Sequence, residues 1–309
     1  MKQFLMVLGC LIGLLGCQAE RDKASLFGPE EVGVLVIDAQ LIVDKPLPAL
    51  FVRETVGLGE VYRLGEAGVV DAEVVIEQDG QRFVYRADLS EPGRYIPPTG
   101  PPQVLPQTTY RLTVRSQGRE ARATTRTPGR LVMRETVWQS EDGSVERRMK
   151  TFEDGEVYSA PENQIVYQDG LLVARFGALD AKGYQVAIES LDPNSKLVVE
   201  SEFIDDENDV DRYGSSPPFE IADGNLPMPW FIVFFEGRHL IRFYAVDENW
   251  FDLIRSVPQF HGEDGAIVPG GLAGDNFERP LFHVEGGIGL FGSASTDSLG
   301  FVVLPRPGR

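Results

Sequence analysis

The chain has 309 residues and a formal net charge of −18, with 47 Asp and Glu against 29 Lys and Arg. A surface of that sign repels nucleic acid and anionic headgroups, which argues against a nucleic-acid-binding role. The charge is uneven: residues 18–128 carry a net −3 and residues 129–309 a net −16, so a near-neutral part precedes a strongly acidic one that favours cations or basic partners.

One positive residue, Lys2, precedes an apolar run from Phe4 to Gly16. The run is too short for a spanning helix, which needs about 20 residues, and has the length of a secretory signal's apolar region. It ends in Leu14-Leu15-Gly16-Cys17, which resembles the lipobox of bacterial lipoproteins. That resemblance implies removal of residues 1–16 as a signal peptide and lipid attachment at Cys17. Two or more acyl chains hold a protein firmly where one is marginal. Gln18 stands where Asp would imply inner-membrane retention, so the expected address is the outer membrane. The other cysteine, Cys10, would leave with the signal, so no disulfide is expected. Residues 17–31 are polar and read as a lipidated tether.

From Val32 the chain is strand-like. Residues 32–37 are apolar and rich in β-branched side chains, as a sheet-core strand would be. Residues 72–76 and 82–86 flank Asp79-Gly80, a hairpin signal. Prolines crowd 97–106, a loop barred from a central ladder. The clearest hairpin spans Thr109–Thr127 around Gln117-Gly118. A two-residue turn there sets Val114 opposite Ala121, Leu112 opposite Ala123 and Tyr110 opposite Thr125. The other face then carries Arg115 opposite Glu120, with Arg111, Arg122 and Arg126 nearby. Six or seven short strands in about 100 residues predict an immunoglobulin-like or transthyretin-like β-sandwich over 32–128.

Residues 129–309 read as a second, acidic, β-rich domain. Strands are expected at Gly183–Glu189, Leu197–Phe203 and Leu299–Leu304. Trp230–Phe235 and His239–Val246 are expected to flank a short Gly237-Arg238 turn. One short helix is predicted, with Asp247 as its cap, Trp250, Phe251, Leu253 and Ile254 as its apolar face, and Arg255 near its end. Residues 261–276 form a Gly-rich loop of the length that often carries function. The fold class expected for the whole chain is therefore all-β and mostly antiparallel.

Candidate sites follow from residue types. Asp205, Glu207, Asp209 and Asp211 lie in the densest oxygen-ligand run and are candidate calcium ligands. The run lacks the EF-hand glycine, since Val210 occupies the sixth place from Asp205, and the simpler reading is a solvated acidic loop leaving the Leu197–Phe203 strand. Gly287 to Gly292 spells G-x-G-x-x-G. Too little chain follows it for a dinucleotide fold, so nucleotide binding is not expected and the glycines predict a tight turn or bulge between strands. His239, His261 and His283 show no close metal-ligand spacing. No G-x-S-x-G elbow exists, and no cysteine nucleophile remains after lipidation. Arg111, Arg115, Arg122 and Arg126 make a basic stripe, readable as a solvated sheet face or as a docking surface for an acidic partner.

Several segments together resemble domain-of-unknown-function family 4249, lipoproteins of Bacteroidetes type. They are the lipobox, VLVIDAQLIV (34–43), the hairpin 110–128, IRFYAVDENWFD (241–252) and NFERPLFHVEGGIGLFGSAS (276–295). The resemblance implies an outer-membrane lipoprotein with an N-terminal sandwich and a β-rich C-terminal part, associated with TonB-dependent outer-membrane receptors. It supplies no catalytic residues. The expectation is thus a non-enzymatic binding or accessory module. A surface hydrolase or glycan-active enzyme using carboxylates near 261–276, or a calcium-stabilised adhesive module, are the alternatives.

Overall fold

The structure is a computed structural model that describes residues 32–57, 60–177, 180–198, 210–220, 224–228, 230, 233–256 and 280–305, with the backbone of 259–261 and 266–268. Strands dominate, most pairs are antiparallel, and one α-helix occurs among the described residues. The first lobe holds β1 (Leu35–Ile42), β2 (Leu50–Glu54), β3 (Glu73–Gln78), β4 (Gln81–Val84), β5 (Arg86–Ala87), β6 (Arg94–Ile96), β7 (Thr109–Ser116) and β8 (Arg119–Arg126).

Alternation builds this lobe. In β1 the buried side chains are Leu35, Ile37, Ala39 and Leu41, every second residue. β7 and β8 pair in the register that their two faces dictate, with Val114 opposite Ala121, Leu112 opposite Ala123, Tyr110 opposite Thr125 and Arg115 opposite Glu120. Gln117 and Gly118 take φ of 50° and 78°, and Asp79 and Gly80 take 48° and 79°. Positive φ at both central residues is what a two-residue hairpin turn requires. Ile37, Leu41 and Val52 share one core with Ile76, Phe83, Leu112 and Val114 from the other layer.

The second lobe holds β9 (Met133–Gln139), β10 (Glu146–Arg148), β11 (Gln164–Val166), β12 (Leu171–Phe176), β13 (Gly183–Ser190), β14 (Tyr213–Ser215), β15 (Asn225–Pro227), β16 (Gly237–Val246), the helix α1 (Glu248–Ser256), β17 (Gln259–His261) and β18 (Ala266–Val268). Its core sets Phe176, Val186, Ile188, Ile241, Phe243, Leu299 and Phe301 together. The expected hairpin about Gly237-Arg238 does not form. Gly237 opens β16, which runs between β13 and the last strand, while Phe235 bridges to Leu197. The Asp192 carboxylate accepts from the Arg238 backbone at 2.7 Å and from its guanidinium at 2.6 and 2.8 Å, holding the chain in that path.

Two closing strands, β19 (Val284–Glu285) and β20 (Gly287–Leu304), join the lobes. The strand expected at 299–304 is only the end of β20, whose 18 residues follow a contour of about 56 Å. Its first half lies parallel to β1, from Leu35 opposite Gly287 to Ile42 opposite Ala294. Its second half lies antiparallel to β16, from Val246 opposite Ala294 to Gly237 opposite Val303. β19 meanwhile pairs with the edge of β8. Residues 32–128 alone would leave both of these strand edges open, and Val284 and Phe291 belong to the first core.

The glycine run therefore makes no turn between strands; it is strand interior. Gly289 has φ 107°, and a Cβ there would lie 2.0 Å from the Ile37 carbonyl oxygen. The absent side chain lets β20 approach β1.

Candidate functional site

α1 is built where the lobes meet. Asp247 caps it as expected, accepting the Trp250 amide at 3.0 Å. Trp250 and Phe251 are buried, and Leu253 and Ile254 pack in part against the same cluster as Leu290 and Ala294. The other Asp247 oxygen accepts from the Thr125 hydroxyl, which lies 2.8 Å from Ser293 Oγ. Burial pushes the Asp247 carboxyl above its usual range, opposed by the Thr125 hydroxyl and the backbone amides of Ser293 and Trp250. Asn249 Nδ2 donates to the carbonyls of Thr124 and Phe291, both at 2.8 Å, and Trp250 Nε1 donates to Gln185 Oε1 at 2.9 Å. Side chains from β8, β13 and β20 thus fix the start of the helix.

With the helix so placed, a cleft of about 680 Å³ opens between it and the outer face of β7 and β8. The sheet contributes Arg111, Thr113, Arg122 and Thr124, the helix Glu248 and Asn249, and the segment leading into β19 Phe282 and His283. His283 reaches the cleft because Val284 pairs with Ala123 on β8. Its Nε2 is 2.8 Å from Asp252 Oδ2 on α1. A carboxylate on one ring nitrogen orients an imidazole. Among the described residues no Ser, Thr or Cys side chain hydrogen-bonds to the other nitrogen.

The arginines of the stripe have separate fates. Arg115 is held by Glu120 at 2.5 Å and Glu73 at 3.5 Å, and does not line the cleft. Arg122 lines it while bound to Glu120 at 2.5 Å. Its hydrogen bond with Arg115 holds the Glu120 carboxyl below the usual range. Arg126 is turned to Asp180 at 3.6 Å. Arg111 is exposed in the cleft, and its cross-strand neighbour Glu77 is engaged by Arg82 at 3.0 Å. No carboxylate forms an ion pair with Arg111 among the described residues.

Of the other candidates, Cys17, Asp205, Glu207, Asp209 and all but a few residues of the 261–276 loop lie outside the described residues. Asp211 is exposed. No metal-holding group of His, Cys, Asp and Glu, and no helix long and apolar enough to cross a membrane, occurs among the described residues. His239 is buried in β16 and takes no part in the cleft. Sequence reasoning missed the His283–Asp252 pair and the tie made by Asn249. Their partners lie 31, 42 and 125 positions away, and no local pattern signals such contacts.

Comparison with models of known protein families and with curated proteins yields no match.

Proposed function

We propose that the protein is a lipid-anchored outer-membrane lipoprotein without enzymatic activity. It serves as a binding or accessory module, docking on a TonB-dependent receptor or taking an extracellular ligand. On this reading Cys17 carries the anchor, the first lobe is an immunoglobulin-like or transthyretin-like sandwich, and the chain is related to family 4249.

The observation that supports a binding role is Arg111. Its guanidinium stands in a cleft whose other arginine, Arg122, is engaged by Glu120 and whose His283 is hydrogen-bonded to Asp252. A planar fork of donors in a concave site selects carboxylate or phosphate groups. The class of partner is therefore acidic, although the protein is itself acidic and Glu77, Glu248 and Glu285 also line the cleft, because the outer sheet face carries Arg82, Arg111, Arg115, Arg122 and Arg126 against Glu73, Glu77 and Glu120.

The test is recovery of partners from detergent-solubilised outer membranes. Wild-type protein is expected to bring down one stoichiometric β-barrel protein, and Arg111→Glu to lose it. Clean recovery of the wild-type lipoprotein alone would overturn the docking reading.

A further inference from the structure

The first lobe has two poles. β1 starts at one and ends at the other, about 23 Å apart at the rise of an extended strand. β20 runs beside β1 in the same direction and continues into the second lobe. The acidic lobe therefore lies beyond the far end of β1, and the pole where the chain enters at Val32 faces away from it.

That entry pole carries apolar side chains left in water. Val61 is 74 % exposed, Leu64 62 %, Val32 58 % and Tyr62 46 %. They belong together in space. Val34 and Gly33 are hydrogen-bonded to Thr55 just beyond β2. A Cβ on Gly57 would touch both the Val32 and the Glu60 side chains at 3.8 Å or less. The loop comes back to the same end of β2, where the Glu54 amide donates to the Ala67 carbonyl at 2.9 Å. Its shape is set by local bonds: Glu60 to Gly57 at 3.1 Å, and Glu66 and Ala67 to the Arg63 carbonyl, both at 3.0 Å. Apolar groups held out on an ordered turn mark a contact surface rather than a failed core.

We propose that residues 60–66, with Val32, form a membrane-contacting loop that seats the first lobe on the lipid surface. This rests on reading Cys17 as acylated. Fourteen residues, 18–31, lie between Cys17 and Val32. The fifteen peptide steps from Cys17 to Val32 can reach at most about 50 Å. The entry pole is thus the part of the described molecule that the anchor keeps nearest to the bilayer. Its charge is low, with Glu60 the one carboxylate of the loop outside an ion pair among the described residues. Arg63 and Glu66 are paired at 2.8 Å, and the near-neutral lobe stands between the membrane and the acidic one. Tyr62 has the amphipathic ring that favours the headgroup level. Acyl chains fix distance, and a second apolar contact fixes orientation.

The experiment uses full-length acylated protein reconstituted into protein-free phosphatidylethanolamine–phosphatidylglycerol vesicles. An environment-sensitive fluorophore is placed at Leu64→Cys or at Leu105→Cys. Leu105 is also an exposed apolar residue, 43 % accessible, and follows Val104, which pairs with Asp44 and Lys45 past the far end of β1. The label at 64 is expected to shift to the blue and to be quenched by lipids carrying a nitroxide high on the acyl chain, and the label at 105 to do neither. Water-like emission from both labels overturns the loop proposal. So does shielding at 64 that occurs in native outer membranes but not in pure lipid, which would assign the pole to a protein partner. Flotation with the vesicles, compared with Cys17→Ala, checks the anchor separately. Protein that floats with a water-exposed label at 64 sinks the loop alone, whereas wild-type protein that fails to float overturns both.

Discussion

His239 shows how a single side chain couples this fold to pH. It is the third residue of β16, 2 % exposed, with its ring stacked on Phe301 at 5.5 Å. Nδ1 lies 2.9 Å from the Gly237 carbonyl and so donates to it, while Nε2 is buried with no partner among the described residues. Burial lowers the affinity of the ring for a second proton. The Gly237 carbonyl and the Asp192 charge oppose that shift, and Arg212 adds to it. The sign follows directly. Above the unfolded-state value of about 6.5 the ring is neutral in both states. As pH falls below it, the unfolded chain takes up the proton first, and stability is lost at up to about 1.4 kcal/mol per pH unit until the folded ring protonates too. Urea unfolding from about pH 7.5 down to about pH 5 should therefore show a steeper loss for wild type than for His239→Phe, which keeps an aromatic ring on Phe301. Parallel curves would remove His239 as a source of the slope.

At the scale of elements, the contrast is between the β7–β8 hairpin and β20. The hairpin was legible because both of its determinants are local. Alternating side chains sort into two faces, and Gln117-Gly118 supplies the left-handed turn. The arginine stripe was legible for the same reason, since β7 and β8 present every second residue to one side. β20 was legible only at its end. Parallel pairing with β1 joins residues about 250 positions apart, and loop closure over such a distance leaves no periodic mark in the sequence. The helix cap at Asp247 was readable, but the cleft beside it depends on β19 docking on β8. Gly289 tests the β20 assignment. A methyl group there would meet the Ile37 carbonyl oxygen at 2.0 Å, on a backbone with φ of 107°. Gly289→Ala is expected to cost about 2–5 kcal/mol, combining overpacking with left-handed strain. Gly80→Ala meets nothing within 4 Å at φ 79° and should cost about 1 kcal/mol. Urea midpoints of the two variants would distinguish them. Equal, small losses would mean that β20 does not press on β1 at Gly289.

For the whole molecule, the shared strand decides whether the lobes unfold separately. Each has its own core and a size at which independent unfolding is ordinary. Yet neither is closed without β20, and the first also needs β19 on β8. The connection between them is pinned as well. Arg130 grips Asp44 through two bonds at 2.7 and 2.9 Å, the Leu131 amide donates to Ser295 Oγ at 2.7 Å, and the Met133 amide donates to Asp297 at 2.9 Å. Asn249 and Thr125 add the buried bonds across the helix start. Loss of β20 would expose the edge of β1 in the first lobe and of β16 in the second, so opening that strand raises the free energy of both. We expect one cooperative transition. Its two reporters weight the lobes differently: Trp138 and Trp230 lie in the second lobe and Trp250 on α1 at the junction, so tryptophan emission follows the second lobe and its junction, whereas far-ultraviolet circular dichroism follows strands in both lobes. Coincident urea curves from the two are the expected result. A dichroism change that persists after tryptophan emission has levelled off would show the first lobe standing without the second, and the halves of β20 would then have to separate within one strand.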